Sequence, residues 1–210
     1  MATPWETARL EDVPWCTALI GAPNTVTFVP PSYATKDDVE PPLLDQLFRR
    51  VLRNNEAIPR CLGFYQDPID LSDGAVSGLP FLLTSSSLIF DLRPGVNGFN
   101  GTAHGGLIVA LMDESMGAYL IMNDKVHKQK KAEGLLPPSS KGFESMGFVT
   151  GRMDTRLLKP IHTPQIVVVT SHLAEVDGRK VHFRVAVTGE QGEVYATCDG
   201  TWVSFLRGKL

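Results

Sequence analysis

Cysteine is scarce: Cys16, Cys61 and Cys198 are the only three in 210 residues. They lie far apart with no CxxC pair, which excludes a zinc ribbon and a thioredoxin-like centre, and their odd number suits a reducing compartment. Charge of one sign is equally sparse. Twenty Lys and Arg stand against 23 Asp and Glu, a net charge of −3 without a basic block, so nucleic acid is not an expected partner. Continuous apolar runs are short, Leu107–Met112 being typical, far below the ~20 residues of a membrane span. The opening MATPWETARLEDVPW has no basic-then-apolar leader pattern. The closing Gly208-Lys209-Leu210 shares only its last two residues with a peroxisomal address. The cytoplasm is the expected location, with peroxisome and mitochondrion as alternatives. P-loop, HExxH, GxSxG and dinucleotide signatures are all missing, and no cofactor or metal is expected.

What is present is an ordinary globular composition, 43% hydrophobic and 20% charged, in a chain long enough for one domain and an extension. Residues 1–80 read as that extension. Pro- and Thr-rich chain occupies its first half, and apolar residues at 43, 44, 47, 48, 51 and 52 predict an amphipathic helix, with Asp45 and Arg49 on its other face. Residues 61–80, broken by glycine and proline, read as loop. Residues 81–210 read as the main domain. A strand is predicted within FLLTSSSLIFDL, then a buried helix over about 105–122, then an exposed loop over 123–146. GFVTGRMDTRLLKPI, QIVVVTSHLAEV, KVHFRVAVTGE and EVYATCDGTWVSFL follow as strands, with DGR and EQGE as tight turns of an antiparallel meander. The fold class is therefore α+β, one long helix wrapped by one curled antiparallel sheet.

The helix carries the chemistry. NGTAHGGLIVALMDESMGAYL is apolar nearly throughout, yet holds Asp113 and Glu114 side by side. Positions 106, 110, 113 and 117 form one stripe of Gly, Ala, Asp and Gly, small except for the carboxylate. Glu114 points about 100° away round the helix. A carboxylate among leucine and methionine costs several kcal/mol if unpartnered, so it is usually kept for a reason. Gly105 and Gly106 begin the helix, where backbone amides lack intrahelical acceptors and the dipole favours negative charge. Bare amides there can form an oxyanion hole. His104 either orients a carbonyl or caps the helix.

The string HGGLIVALMDE resembles the H-G-G-x-x-x-x-L-x-D motif of hotdog-fold acyl-CoA thioesterases, the branch with phenylacetate-pathway thioesterases and the human thioesterase-superfamily members. The resemblance spans roughly Phe81 to Leu206 and includes the LLKPI strand end; residues 1–80 fall outside it. It implies hydrolysis of acyl-CoA thioesters by a hotdog fold, with Asp113 as nucleophile or general base and Gly105 or Gly106 polarising the carbonyl. His104 would hold that end of the site, and Thr150, ten residues before Pro160, would position the attacking water. It further implies a homodimer, often a dimer of dimers, whose sites take acid and oxyanion hole from opposite subunits. One departure stands out. The family frequently has Asn or Gln six residues before the histidine, where this chain has Gly98, flanked by Asn97 and Asn100; either asparagine is a candidate substitute. Glu114 is assigned to backbone amides of the partner or of the loop. For the coenzyme A phosphates the candidates are Arg152, Arg156, Lys159, Arg179 and Lys180, the last two preferred beside a hairpin tip. The competing reading is a non-catalytic acyl-thioester or lipid-binding protein, or an assembly subunit, on the same fold.

Overall fold

The computed structural model describes residues 9–34, 45–68 and 81–206. In chain order the regular elements are helix α1 (Pro14–Ile20), strands β1 (Thr25–Phe28), β2 (Cys61–Gln66), β3 (Ser85–Leu92), β4 (Asn97–Phe99) and β5 (Thr102–Ala103), helix α2 (Gly105–Ala132), and strands β6 (Met146–Leu157), β7 (Gln165–Asp177), β8 (Lys180–Thr188) and β9 (Val194–Leu206). Seven strands make one antiparallel sheet in the order β1-β2-β3-β7-β8-β9-β6, and β4-β5 is a separate hairpin. This is the expected α+β arrangement of a hotdog fold: a curled sheet wrapped round a long helix.

The burial pattern explains each layer. In β8 the inward residues Val181, Phe183, Val185 and Val187 alternate with more exposed ones, the period-two signature of a strand covered on one face. β3 is buried over almost its whole length, because helix α2 lies on one face and the α1 segment on the other. Leu88, Phe90 and Leu92 join the main core. Ile89 turns the other way, into a small second core with Leu10, Cys16, Leu62 and Val168.

Four expectations need correction. Within 61–80, read as loop, residues Cys61–Gln66 form β2, pairing with β1 and β3 and carrying the sheet into the N-terminal part; residues 69–80 lie outside the described residues. Within 123–146, read as an exposed loop, α2 continues to Ala132. Asn123, Asp124, Lys125, Lys128, Gln129 and Lys130 are polar, but Met122, Val126 and His127 stay buried beneath them. Lys128 reaches Asp124 at 2.6 Å one turn back, and Gly134 ends the helix at φ +74°. The predicted helix over 43–52 is reduced, among the described residues, to a π-helical turn at Leu47–Leu52. Phe48 is buried there, whereas Leu47 and Val51 are exposed. The meander also holds only for β7, β8 and β9, since β6 crosses to the far edge and pairs with β9. The β6–β7 connection, with Pro160 and Pro164, is too long for a tight turn.

Helix α2 is long and apolar enough, by length and composition, to cross a membrane, although half of its most apolar window is buried. Here it is the core helix. Leu111, Met112, Met116 and Tyr119 are fully buried against the sheet. Polar ties fix its rotation. Ser115 donates to the Val169 carbonyl at 3.1 Å, and the Asn123 carboxamide oxygen accepts from the amides of Leu82 and Leu83 at 2.7 and 3.0 Å.

On the other face of β3, Asp91 is 1% exposed. Its Oδ2 accepts from Arg60 at 2.6 and 2.9 Å and from Arg93 at 2.9 Å. Removing one member of a buried ion cluster strands the others in a dry environment. Asp91→Ala is expected to lower unfolding stability by about 3–5 kcal/mol, a drop of roughly 10 °C in Tm for a chain of this size. Differential scanning calorimetry checks this, and a change under ~1 kcal/mol would show that the cluster behaves as a surface pair.

Candidate active site

The β4-β5 hairpin delivers the chain into α2. Asn100 and Gly101 form its tip with φ of +39° and +70°, so Asn100 is a turn residue. His104 follows as the N-cap, with its amide bonded to the Val96 carbonyl at 2.9 Å. Its Nδ1 accepts from the Gly106 amide at 3.0 Å, which puts the imidazole proton on Nε2. The two glycines are thereby separated. The Gly106 amide is engaged by His104, whereas among the described residues nothing accepts from the Gly105 amide, leaving it as the donor aimed out of the helix start. Gly98 packs against the same histidine: a Cβ there would stand 2.8 Å from the His104 ring. In this chain a side chain at 98 would press on the cap.

Eight residues further on, Asp113 is half-buried, and the Thr150 hydroxyl donates to its Oδ1 at 2.6 Å. Thr150 owes its aim to an irregularity in β6, where the register with β9 shifts between Thr150 and Arg152. Such a bulge redirects the adjacent side chain, and Gly151 within the strand is its sequence signal. Burial raises the Asp113 carboxyl above its ordinary range, and the Thr150 hydrogen bond partly offsets this. Beside the pair, Trp202 is the β9 residue in register with Thr150, and a Cβ on Gly117 would lie 3.3 Å from its ring.

The acid and the bare amide are on one helix but not in one place. Eight residues at 1.5 Å per residue separate Gly105 from Asp113 by about 12 Å, whereas one reacting carbonyl must lie ~3 Å from both. Within one chain the two groups do not reach a common atom.

The remaining predicted residues fall elsewhere. The Asn97 side-chain oxygen accepts from the Thr163 hydroxyl at 2.5 Å. Glu114 points toward the N-terminal part, where its Oε1 accepts from the Ser32 hydroxyl at 2.5 Å. Burial pushes the Glu114 carboxyl up to about 7, against the Ser32 hydrogen bond, with the charges of Asp45 and Asp113 adding to the rise. Arg179 and Lys180 are exposed at the β7–β8 turn. Lys180 registers with Val203 of β9 and Val203 with Val149 of β6, so it stands two strand spacings, about 10 Å, from the neighbour of Thr150. Arg152, Arg156 and Lys159 are exposed at the β6 edge or just beyond it, Arg152 within 3.6 Å of Asp154.

Sequence reasoning missed Ser32, because nothing in the local pattern ties it to a residue 82 positions away. The contact carries a testable consequence for stability. Glu114 is protonated to higher pH in the folded chain than in the unfolded one, so its contribution is complete below about pH 4.5 and is lost as pH rises to about 7. Glu114→Gln keeps the acceptor for Ser32 and removes the ionisation. It is expected to raise stability at pH 8 by about 2 kcal/mol and to flatten the decline between those limits. Urea titrations of both proteins across that range check it; parallel curves would refute it.

Residues 100–196 match the thioesterase superfamily, and this stretch holds helix α2, Gly105, Asp113, Thr150 and strands β6 to β8. Verlamelin biosynthesis protein B of a Lecanicillium species is 26% identical over 167 residues, covering 75% of this chain and 71% of that protein. Among solved structures, a hypothetical thioesterase of Streptococcus pneumoniae with coenzyme A aligns at TM-score 0.46 and 14% identity, over 59% of this chain and 82% of that one. The Escherichia coli PaaI protein of the phenylacetic acid degradation operon aligns at TM-score 0.45 and 11% identity, over 58% and 73%. The fold is the α+β arrangement of a long helix in a curled antiparallel sheet, and the matched stretch is similar to thioesterases. The match to the thioesterase superfamily covers this domain and not the N-terminal part.

Proposed function

We propose that this protein hydrolyses acyl-CoA thioesters to the free acid and coenzyme A at a site shared between two copies of the chain. The observation that carries the reading is the 2.6 Å hydrogen bond from Thr150 to Asp113 on the helix whose first turn offers the Gly105 amide. Thr150 and one carboxylate oxygen hold a water, and Asp113 takes its proton as the oxygen attacks the thioester carbon. The carbonyl oxygen becomes an oxyanion that the Gly105 N–H of the other copy stabilises. Collapse breaks the carbon–sulfur bond, and the proton on Asp113 passes to the departing thiolate. A thioester has a good leaving group, so one base and one amide suffice. The raised carboxyl makes Asp113 a stronger base than an exposed aspartate. Direct attack by Asp113 to give an anhydride is the covalent variant; incorporation of labelled solvent oxygen into Asp113 would identify it.

Pairing through β6 supports the shared site. This strand is a long edge of the sheet, and Val149, Leu157 and Leu158 near it are exposed, as is Phe99 on the hairpin. An uncovered apolar edge is a template for a second strand. Arg179 and Lys180 are the residues offered to the coenzyme A phosphates, and the cytoplasm is the location proposed.

The test is thiol release from short, medium, long and aromatic acyl-CoAs by the full chain, together with its mass in solution. Release by a dimer or larger assembly is the expected result. No release from folded protein on any of them would give way to the non-catalytic binding reading.

A further inference from the structure

A cleft of about 420 Å³ opens beside the Asp113–Thr150 pair, between α2 and strands β6 and β9. On the helix side one stripe leads away from the acid at steps of four, four and three residues: Asp113, Gly117, Ile121, Asp124. Gly117, Ile121 and Asp124 all line the cleft. On the strand side the wall starts at Trp202, the register partner of Thr150, and runs past Phe148 to Met146. Both walls therefore begin at the reacting centre and run the same way. The cleft is apolar until Asp124, which is tied to Lys128 at 2.6 Å and accepts from the Phe143 amide at 3.3 Å. That ion pair ends the apolar stretch, because a methylene chain pushed onto it would strip water from both charges.

We infer that this cleft holds the acyl chain of the thioester and selects unbranched aliphatic chains of about twelve to fourteen carbons, given the helix rise and carbon–carbon geometry. The inference rests on the thioesterase reading for its orientation. The helix side sets the length, and the volume bounds it from above. From Asp113 to Asp124 the helix rises about 16 Å, and an extended chain advances roughly 1.3 Å per carbon, so about twelve to thirteen carbons reach the charged end. A cavity of ~150 Å³ takes the six carbons of benzene, so a cleft of about 420 Å³ has room for roughly seventeen carbons, and the charged end, not the volume, sets the limit. Gly117 is the entrance, since a side chain there would meet both Trp202 and the incoming chain.

The experiment uses the full chain and two readouts: calorimetric binding of free saturated fatty acids, and kcat/KM on the matching acyl-CoAs, over about six to eighteen carbons. Both are expected to rise roughly two- to fourfold per added methylene, to peak at the inferred length, and to fall beyond it. Ile121→Trp, at a position 44% exposed and so tolerant of size, is expected to move the optimum at least four carbons shorter, about one helical turn's length of chain. Ile121→Ala is expected not to shorten it, which separates a filled cleft from a damaged fold. A length profile that is flat, or unmoved by Ile121→Trp, overturns the cleft assignment whether or not hydrolysis occurs. Length-dependent binding without any turnover would instead uphold the cleft and remove the hydrolase reading.

Discussion

Asp113→Asn is expected to lower kcat/KM on an acyl-CoA by about 10²–10⁴-fold, the usual worth of a positioned base, with the folded structure retained. The substitution is nearly isosteric and keeps an oxygen for the Thr150 hydroxyl, which now donates at 2.6 Å. What it removes is the ability to take a proton from water. The pH profile sharpens the test. Burial holds the Asp113 carboxyl above the ordinary carboxylate range, and the base must be ionised, so activity falls on the acid side as pH drops through that raised value. Thr150 holds the value down. Thr150→Val should therefore move the acid limb to higher pH while lowering the plateau. A limb that stays in place would mean that Asp113 is not the group that titrates.

Gly105→Pro is expected to cost about 10²–10³-fold in kcat, the effect of deleting one oxyanion donor, with little loss of stability. Proline has no amide hydrogen, and the first helical position is where it is best tolerated. His104 before it has ψ of 131°, within the range that a residue preceding proline prefers. The substitution removes the donor, and its Cβ, 3.0 Å from Leu157 Cδ1, asks only the end of an exposed side chain to give. Because acid and donor on one chain are too far apart to meet, this variant and Asp113→Ala should rescue one another when chains are mixed and reassembled. Random pairing leaves half the dimers mixed, each with one intact site, so about a quarter of the activity should return. No recovery in verified mixed dimers would place the whole reaction within one chain.

The sequence made some of this readable and concealed the rest for physical reasons. β8 is visible because one-sided burial imposes a period on its apolar residues, β7 and β9 through their β-branched and aromatic runs between tight turns, and the first half of α2 because it is apolar nearly throughout. β2 has no such period. Cys61-Leu-Gly-Phe-Tyr-Gln66 reads as loop, yet Gly63 is there because the ring of Phe28 occupies the space a Cβ would take, at 2.3 Å. The second half of α2 looked like loop because its polar residues hide a buried Val126 and His127. At the site, Asp113 and Thr150 could be paired by motif alone. Which glycine amide is open could not, since it depends on the rotation of the His104 ring. Glu114 stood out as an acid among apolar neighbours, but the Ser32 hydroxyl that it accepts from, in place of the backbone amides expected, comes from the extension, where the motif does not reach.

The two ends of the sheet are unequal. β1 offers four residues, Thr25–Phe28, whereas β6 offers twelve, Met146–Leu157. A ribbon with one adhesive side and one blunt side joins a copy of itself once and then has nowhere to grow. Under the pairing through β6 proposed above, growth along the sheet would stop at two copies instead of running on into a fibre.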